Sequence, residues 1–399
     1  MHTNSIILIS TADWDHPLWT NKQHVACSLA DMGFRVLYVE SLGIRPIRMK
    51  SNDFLRIFRR LCRAFKILRK VRPRVWVCSP LVIPSGNNGL ALKLNKISLK
   101  FALSLCRFLL SFRDPLLWTY NPLTARFISL KGHSLIVYHA VDALQEQPDM
   151  PSKLISQEEK YLCSVADQVF VTSPKLEAAL MNYSRHLRFD PNVADYSHFS
   201  RALDFTSQDY PIDLVSIPEP RIGFMGAISS YKIDISLIAE LAQTHPEWNF
   251  VFIGPIGEGE SITDISVWST LDNIHCLGAK SYSVLPNYCA GFQCGILPLT
   301  QTAYSESMFP MKFFEYLASG LPIVATSIPS LQEFSSVAFL ANPDVNSFSS
   351  ALDSCINGLG ATLEDRLSVA KKHTYTARTA KMLQCINDRY LEKFDLFDG

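Results

Sequence analysis

The sequence predicts an α/β protein made of two doubly wound domains, and three observations carry that prediction. Short apolar runs rich in Ile, Val and Phe alternate with helical patterns from one end of the chain to the other, the signature of parallel sheets flanked by helices. The chain has 399 residues, 48% of them hydrophobic, enough for two cores of ordinary size. A polar, proline-bearing stretch interrupts the alternation near the middle, after which it restarts.

In the first half the expected strands are Ser5 to Ile9, Arg35 to Val39, Val75 to Cys78, Leu116 to Thr119, Leu135 to Tyr138 and Gln168 to Val171. The segments "FDPNVADYSHF" and "SRALDFTSQDYPIDLVSIPEP" then read as loop and linker, their prolines and acids interrupting any regular pattern. In the second half the expected strands are Arg221 to Met225, Phe250 to Ile253, His275 to Leu277, Cys294 to Leu297, Pro322 to Ala325 and Val337 to Leu340. The predicted organisation is therefore a first domain over 1–195, a linker over 196–220, a second domain over 221–374, and a last helix over 375–399. That helix, "YTARTAKMLQCINDRYLEKF", is long enough to leave the second domain and cross back to the first.

Composition excludes several function classes. A formal net charge of +1 does not fit a general nucleic-acid binder, whose domain is usually strongly basic. No run reaches the roughly 18 uncharged apolar residues of a spanning helix, since even "ISLKFALSLCRFLLSF" carries Lys100 and Arg107. The start, "MHTNSIILIS", lacks a basic n-region and reads as a first strand, not a signal peptide. The 10 cysteines are scattered without paired ligand spacing, which predicts free thiols in a reducing cytoplasm, no disulfide framework and no metal site.

One segment is locally basic. Phe54, Ile57, Phe58, Leu61, Phe65 and Leu68 form an apolar stripe at helical spacing with Arg56, Arg59, Arg60, Arg63 and Lys66 around it. That pattern over residues 54–70 suits an interfacial helix on anionic lipid, and equally a domain helix with a solvated outer face.

In open α/β sheets ligands sit beyond the carboxyl ends of the strands, so those loops are where chemistry is expected. After Met225 comes "GAISSYKID", where Gly226 permits close backbone approach, the helix starting near Asp234 offers N–H groups to an anion, and Lys232 stands at the mouth. The next strand ends in a second glycine-rich loop with Gly254, Gly257 and Gly259. Neither loop is G-x-G-x-x-G or G-x-x-x-x-G-K-[ST], so neither a dinucleotide dehydrogenase nor a P-loop NTPase is supported. In "FPMKFFEYLASGLPIVAT" Lys312 precedes Glu315 by one turn, either as a surface ion pair or as ligand-binding groups. A diphosphate needs N–H donors and a cation, and a ribose needs a carboxylate that accepts from its hydroxyls; Glu315 is then expected to be exposed toward a ligand.

Taken with "KFFEYLASGLPIVAT", "GFMGAISSYKIDISLI", "VYHAVDAL", "VFVTSPKL" and "PNVADYSHF", these features resemble the GT-B fold glycosyltransferases, family 4-like, of the teichuronic acid and capsule polysaccharide type. The resemblance implies two Rossmann-like domains facing a cleft, with a nucleotide diphosphate sugar held by the second and the acceptor by the first. It implies that Glu315 binds the donor ribose and that Gly226, Gly254, Lys232 and Lys312 serve the diphosphate. The Glu-x7-Glu pattern of many such enzymes is off register here, with Glu306 beside Ser307, so either Glu306 or the backbone of "SESMFP" holds the sugar. On the first domain, His139 and Asp142 follow a strand end and stand where acceptor-side catalytic groups are expected, together with Lys232 on the donor side. Asp15, His16, Trp19 and Lys22 crowd the loop after the first strand, where Trp beside acids suits stacking on a sugar or capping a core. Glu158 and Glu159 are expected on a solvated helix face.

The implied reaction is transfer of the sugar to a hydroxyl of a glycan or lipid-linked glycan, with retention and with no cofactor or metal, since no D-x-D pattern occurs. A cytoplasmic protein peripheral to the inner membrane face would fit the basic segment. A catalytically silent sugar-nucleotide-binding or scaffold protein and a GT-B epimerase are the alternatives.

Overall fold

Near-continuous apolar strands are stable only when both faces of their sheet are covered, and this chain builds two such sheets. The structure, a computed structural model, describes residues 4–16, 19–42, 67–82, 89–257, 260 and 263–395. It divides into two units, one of residues 1–172, 176–190 and 379–399, the other of residues 173–175 and 191–378.

The first unit contains β1 (Ser5–Ile9), β2 (Arg35–Val39), β3 (Leu68–Arg72), β4 (Val75–Cys78), β5 (Leu116–Thr119), β6 (Ile136–Ala140), β7 (Gln168–Val171) and β8 (Leu187–Phe189). They form one sheet in the order β3-β4-β2-β1-β5-β6-β7-β8. All pairs are parallel except β3 with β4, a hairpin at the edge. The order reverses beside β1, where Ile7 lies opposite both Leu37 and Leu117. The crevice at such a reversal is the usual ligand position.

The second unit carries β9 (Arg221–Met225), β10 (Asn249–Ile253), β11 (Ile274–Gly278), β12 (Cys294–Leu297), β13 (Ile323–Thr326) and β14 (Phe339–Ala341), all parallel, in the order β11-β10-β9-β12-β13-β14. The reversal falls between β9 and β12, where Gly223 faces Gly295. Both glycines are demanded by packing. A Cβ on Gly223 would meet the Phe292 ring at 2.1 Å, and one on Gly295 would meet Tyr316 at 2.6 Å. The fully buried Tyr316 hydroxyl accepts the Met225 N–H at 2.8 Å, which ties the helix Met311–Ala318 to the end of β9.

Several expectations are corrected. Residues 196–220 are not a free linker: short helical turns there bury Phe199 and Leu214 completely in the second core. Asp213 accepts from Lys280 at 2.6 Å and from the Tyr288 hydroxyl at 2.8 Å, which uses the polar residues that gave the segment its loop-like composition. The expected interfacial helix 54–70 lies mostly outside the described residues, but Leu68–Lys70 belong to β3, where Arg69 pairs with Asp15 at 2.7 Å. The final helix begins at Tyr375, and its residues from Thr379 onward belong to the first unit, where Met382 and Ile386 are buried and Lys393 meets Asp167 at 2.9 Å. The described cysteines are free thiols, most of them buried. Among the described residues no helix is long and apolar enough to cross a membrane.

Glu159 is a further correction, for it is 3% exposed and accepts a 2.6 Å hydrogen bond from the Tyr138 hydroxyl, while Glu158 pairs with Arg126 at 3.1 Å. The helix Ser152–Val165 turns Glu159 inward with Ile155 and Leu162, so an acid that looked solvated sits against the underside of β6. Burial raises its carboxyl from 4.5 to about 7, against the lowering pull of Tyr138 and Lys160.

Because the folded value lies above the unfolded one, stability is complete below about pH 4.5 and is lost as pH rises through about 7, by on the order of 3 kcal/mol. Urea titrations of wild type and Glu159→Gln across that window should converge at low pH and separate in favour of the variant at high pH; parallel curves would show that the carboxyl titrates normally. Gly254→Ala tests the second sheet, since its Cβ would lie 1.8 Å from the Gly226 carbonyl oxygen. It should cost roughly 1–3 kcal/mol in chemical unfolding, whereas Gly89→Ala, whose Cβ meets nothing within 4 Å, should be near neutral.

Candidate functional site

The end of β9 carries the first part of the site. Gly226 donates its N–H to Ile253 O at 2.8 Å, and Ile228 donates to Pro255 O and accepts from the Gly257 N–H, both at 2.9 Å, so the two glycine-rich turns run side by side. Gly254 belongs to this construction as the position where the backbone of the Gly226 turn presses closest. Gly259 lies outside the described residues. Lys232 follows with its ammonium 5.2 Å from the Tyr231 ring centroid, and that ring packs on Tyr304 at 5.1 Å.

The helix Ile235–Thr244 does not offer a bare N-terminus to an anion as expected. Asp234 caps it, accepting the Leu237 N–H at 2.9 Å and placing its own negative charge at the positive end of the dipole. The cationic side of the turn is supplied instead by the helix Met311–Ala318, because the Lys312 Cε lies 3.8 Å from the position a Gly226 Cβ would take. Pro310 stands at the N-cap of that helix and has no side-chain acceptor to give it.

Glu315 is not exposed, as the sequence led one to expect, but 2% exposed, with its Oε2 held by the Lys312 ammonium at 2.8 Å. The i, i+3 ion pair forms, and its lysine borders the glycine turn. Burial makes it more than a solvated surface pair: removing Lys312 would leave a carboxylate uncompensated in the protein interior. The stacked rings of His198 and Tyr282, 4.3 Å apart, lie within electrostatic reach of Glu315; His198 sits in the quoted segment "PNVADYSHF", which by itself assigns it no role.

Glu306 ends the short helix Ala303–Glu306 and is ion-paired with Lys175, both side chains being about two-fifths exposed. The neighbouring backbone is pinned carbonyl by carbonyl. Ser173 donates to Ser307 O at 2.7 Å, Ser330 to Met308 O at 2.8 Å and Asn192 to Phe309 O at 2.6 Å. Ser173, Lys175 and Asn192 are thus positioning residues that sequence reasoning passed over, although two of the quoted segments, "VFVTSPKL" and "PNVADYSHF", contain them.

In the first unit the structure brings Lys22 and Asp142 together from distant segments. Lys22 lies on the helix Asn21–Asp31, nearly buried, with its ammonium 3.8 Å from Asp142 and 5.8 Å from the Tyr120 ring centroid. His139 does not follow the strand but lies inside β6, fully buried, its ring 4.8 Å from that of Tyr120 and about 6 Å from those of Trp118 and Phe170. The strand continues two residues beyond its expected end because β7 pairs with it as far as Ala140. Asp142 therefore reaches the charged group at the loop, and His139 contacts the same aromatic ring from within the sheet.

The loop after β1 is mostly core-capping. Trp14 is buried between Trp19 and Tyr38, and Trp19 also packs edge-on to His24. Asp15 goes to Arg69, and His16 closes a turn by donating its backbone N–H to Asp13 O at 3.2 Å. Of the four expected acceptor-side residues, Lys22 reaches the Asp142 cluster. Among the described residues no group of three or more His, Cys, Asp or Glu is placed to hold a metal ion.

Comparison with known proteins gives this geometry a family context. Residues 219–357 match the family described as Glycosyl transferases group 1. A Bacillus subtilis (strain 168) protein named as the teichuronic acid biosynthesis glycosyltransferase TuaH is 34% identical over 109 residues, 27% of this chain and 27% of TuaH. Sucrose-phosphate synthase from Thermosynechococcus elongatus superposes with a TM-score of 0.70 at 17% identity, covering 97% of this chain and 99% of that one. HepE from Anabaena, in complex with UDP and glucose, gives 0.64 at 16% identity over 97% and 100% of the two chains. An E. coli structure bound with UDP-2-fluoro glucose gives 0.66 at 13% identity over 97% and 99%. The chain thus has the GT-B fold with two Rossmann-like units, and its residues 219–357 match the group 1 glycosyl transferase domain.

Proposed function

We propose that the protein is a glycosyltransferase that binds a nucleotide diphosphate sugar in its second unit and moves the sugar, with retention, to a hydroxyl of a lipid-linked glycan during cell-envelope polysaccharide synthesis. The observation that carries this reading is the Lys312 ammonium, which borders the Gly226 turn and at the same time holds the buried Glu315. A diphosphate at the turn would draw Lys312 toward its oxygens and free one carboxylate oxygen of Glu315 to accept from the ribose hydroxyls. Lys232 supplies a second cation to the leaving diphosphate, so charge stabilisation is done by fixed positive groups without a metal. Glu306 or the pinned backbone of residues 305–310 holds the sugar. In the first unit, Lys22 and Asp142 act on the acceptor hydroxyl, with His139 orienting them through Tyr120.

Support comes from the relatives as well. TuaH is named for teichuronic acid biosynthesis, and HepE and the E. coli neighbour hold UDP or a UDP-sugar. Work at the inner face of the membrane, from the cytoplasm, follows from a lipid-linked acceptor. The Lys175–Glu306 ion pair favours one second reading, a catalytically silent sugar-nucleotide binder or scaffold, because it engages the carboxylate nearest the expected sugar position. A nucleotide-sugar epimerase would differ by forming product with no acceptor present.

Thermal unfolding with UDP, GDP, dTDP and CMP tests the donor site. A ligand at 100 times its dissociation constant adds about 2.7 kcal/mol, and UDP is expected to give that shift in wild type, with Glu315→Ala losing it and Lys312→Ala weakening it. Absence of a shift with every nucleotide would remove the donor reading. A shift without sugar release from UDP-glucose, with or without glycan acceptors, would leave the silent binder.

A further inference from the structure

The helix Gly89–Leu109 has two apolar faces where a domain helix needs one. Leu99, Ala102, Leu103 and Cys106 face the first core and are buried. On the opposite side Leu94, Ile97, Phe101 and Phe108 recur at three-, four- and seven-residue steps, so they share a single stripe. They are 47%, 67%, 63% and 80% exposed. A contiguous stripe of this kind marks an interaction surface, since scattered single apolar residues would not align over several turns.

The charges beside the stripe identify its partner. Lys93, Lys96 and Lys100 are exposed along one edge of it, Arg107 continues the row, and the helix sequence "GLALKLNKISLKFALSLCRFL" contains no acid. Its 21 residues extend about 30 Å, far enough to lie along a surface. A rigid cationic rim beside a strip of Leu, Ile and Phe matches the boundary between anionic headgroups and acyl chains, with the lysine stems lying over the apolar side and their ammonium groups on the phosphates. The helix is held in that presentation by the core beneath it and by Ser98, whose hydroxyl donates to Leu81 O at 2.8 Å.

We infer that the exposed face of the helix Gly89–Leu109 is a docking surface for an anionic lipid bilayer, with Ile97, Phe101 and Phe108 entering the acyl boundary and Lys93, Lys96 and Lys100 binding headgroup phosphates. The element is distinct from the basic segment 54–70, and the inference does not depend on the donor chemistry of the second unit.

Flotation with vesicles of phosphatidylcholine alone, or mixed with phosphatidylglycerol, tests it on the full chain. Wild type should float with the mixed vesicles only, and less so as salt is raised. The triple variant Lys93→Gln, Lys96→Gln, Lys100→Gln should lose binding by on the order of a hundredfold. Ile97→Ser with Phe101→Ser and Phe108→Ser should also release the protein while leaving the melting temperature unchanged, because those side chains are exposed. Equal flotation with both vesicle types, or no flotation of wild type, would overturn the inference. So would binding lost only on Arg56→Gln, Arg59→Gln and Arg63→Gln, or a dimer in sedimentation that the serine variant dissociates.

Discussion

The second unit depends on a contact between two backbones. At Gly254 no Cβ can exist without entering the Gly226 carbonyl, and at Gly295 none can exist without entering the Tyr316 ring. These two closures draw the turn after β9 against the loop after β10 and bring the helix Met311–Ala318 down onto β12. The Tyr316 hydroxyl then takes the Met225 N–H, so the glycine turn and the helix bearing Lys312 and Glu315 have one fixed separation. The spacing of these groups is a consequence of sheet packing.

Around that frame, charge is placed by burial. A carboxylate at 2% exposure is tolerated at position 315 because Lys312 lies one turn earlier on the same helix and reaches it. Asp234 occupies the neighbouring helix terminus, and the Lys312 side chain lies beside the Gly226 turn. In the first unit Lys22 meets Asp142 beside Tyr120, again at a point where strand order reverses. Each unit thus keeps a lysine–carboxylate pair at the carboxyl end of its sheet, the position where open α/β sheets bind ligands.

Where the sequence misled, a polar residue had found a partner that periodicity does not reveal. Glu159 looked like one more acid on a solvated helix face, yet Tyr138 on β6 gives it a hydroxyl and the helix carries it inward. Residues 196–220 looked like a linker because they hold prolines and acids, but Asp213 is bonded to Lys280 and Tyr288, and Phe199 and Leu214 are core. The extension of β6 through His139 depends on pairing with β7, an interaction between segments about thirty residues apart.

The order of apolar runs and helical patterns by itself determined the two sheets, most of their strands, and the segments that carry Gly226, Lys232, Lys312 and Glu315. Those are local properties, set by side-chain period and by glycine at strand ends. Only the tertiary structure decided that the Lys312–Glu315 pair is buried, that Glu306 answers to Lys175, and that Lys22 stands beside Asp142. It also decided which apolar stripe of the helix Gly89–Leu109 faces the core and which faces solvent, since both stripes have helical spacing. Partner choice for a charge, and direction for a second apolar face, arise from contacts between segments far apart in the chain, and a single sequence does not encode these as any local pattern.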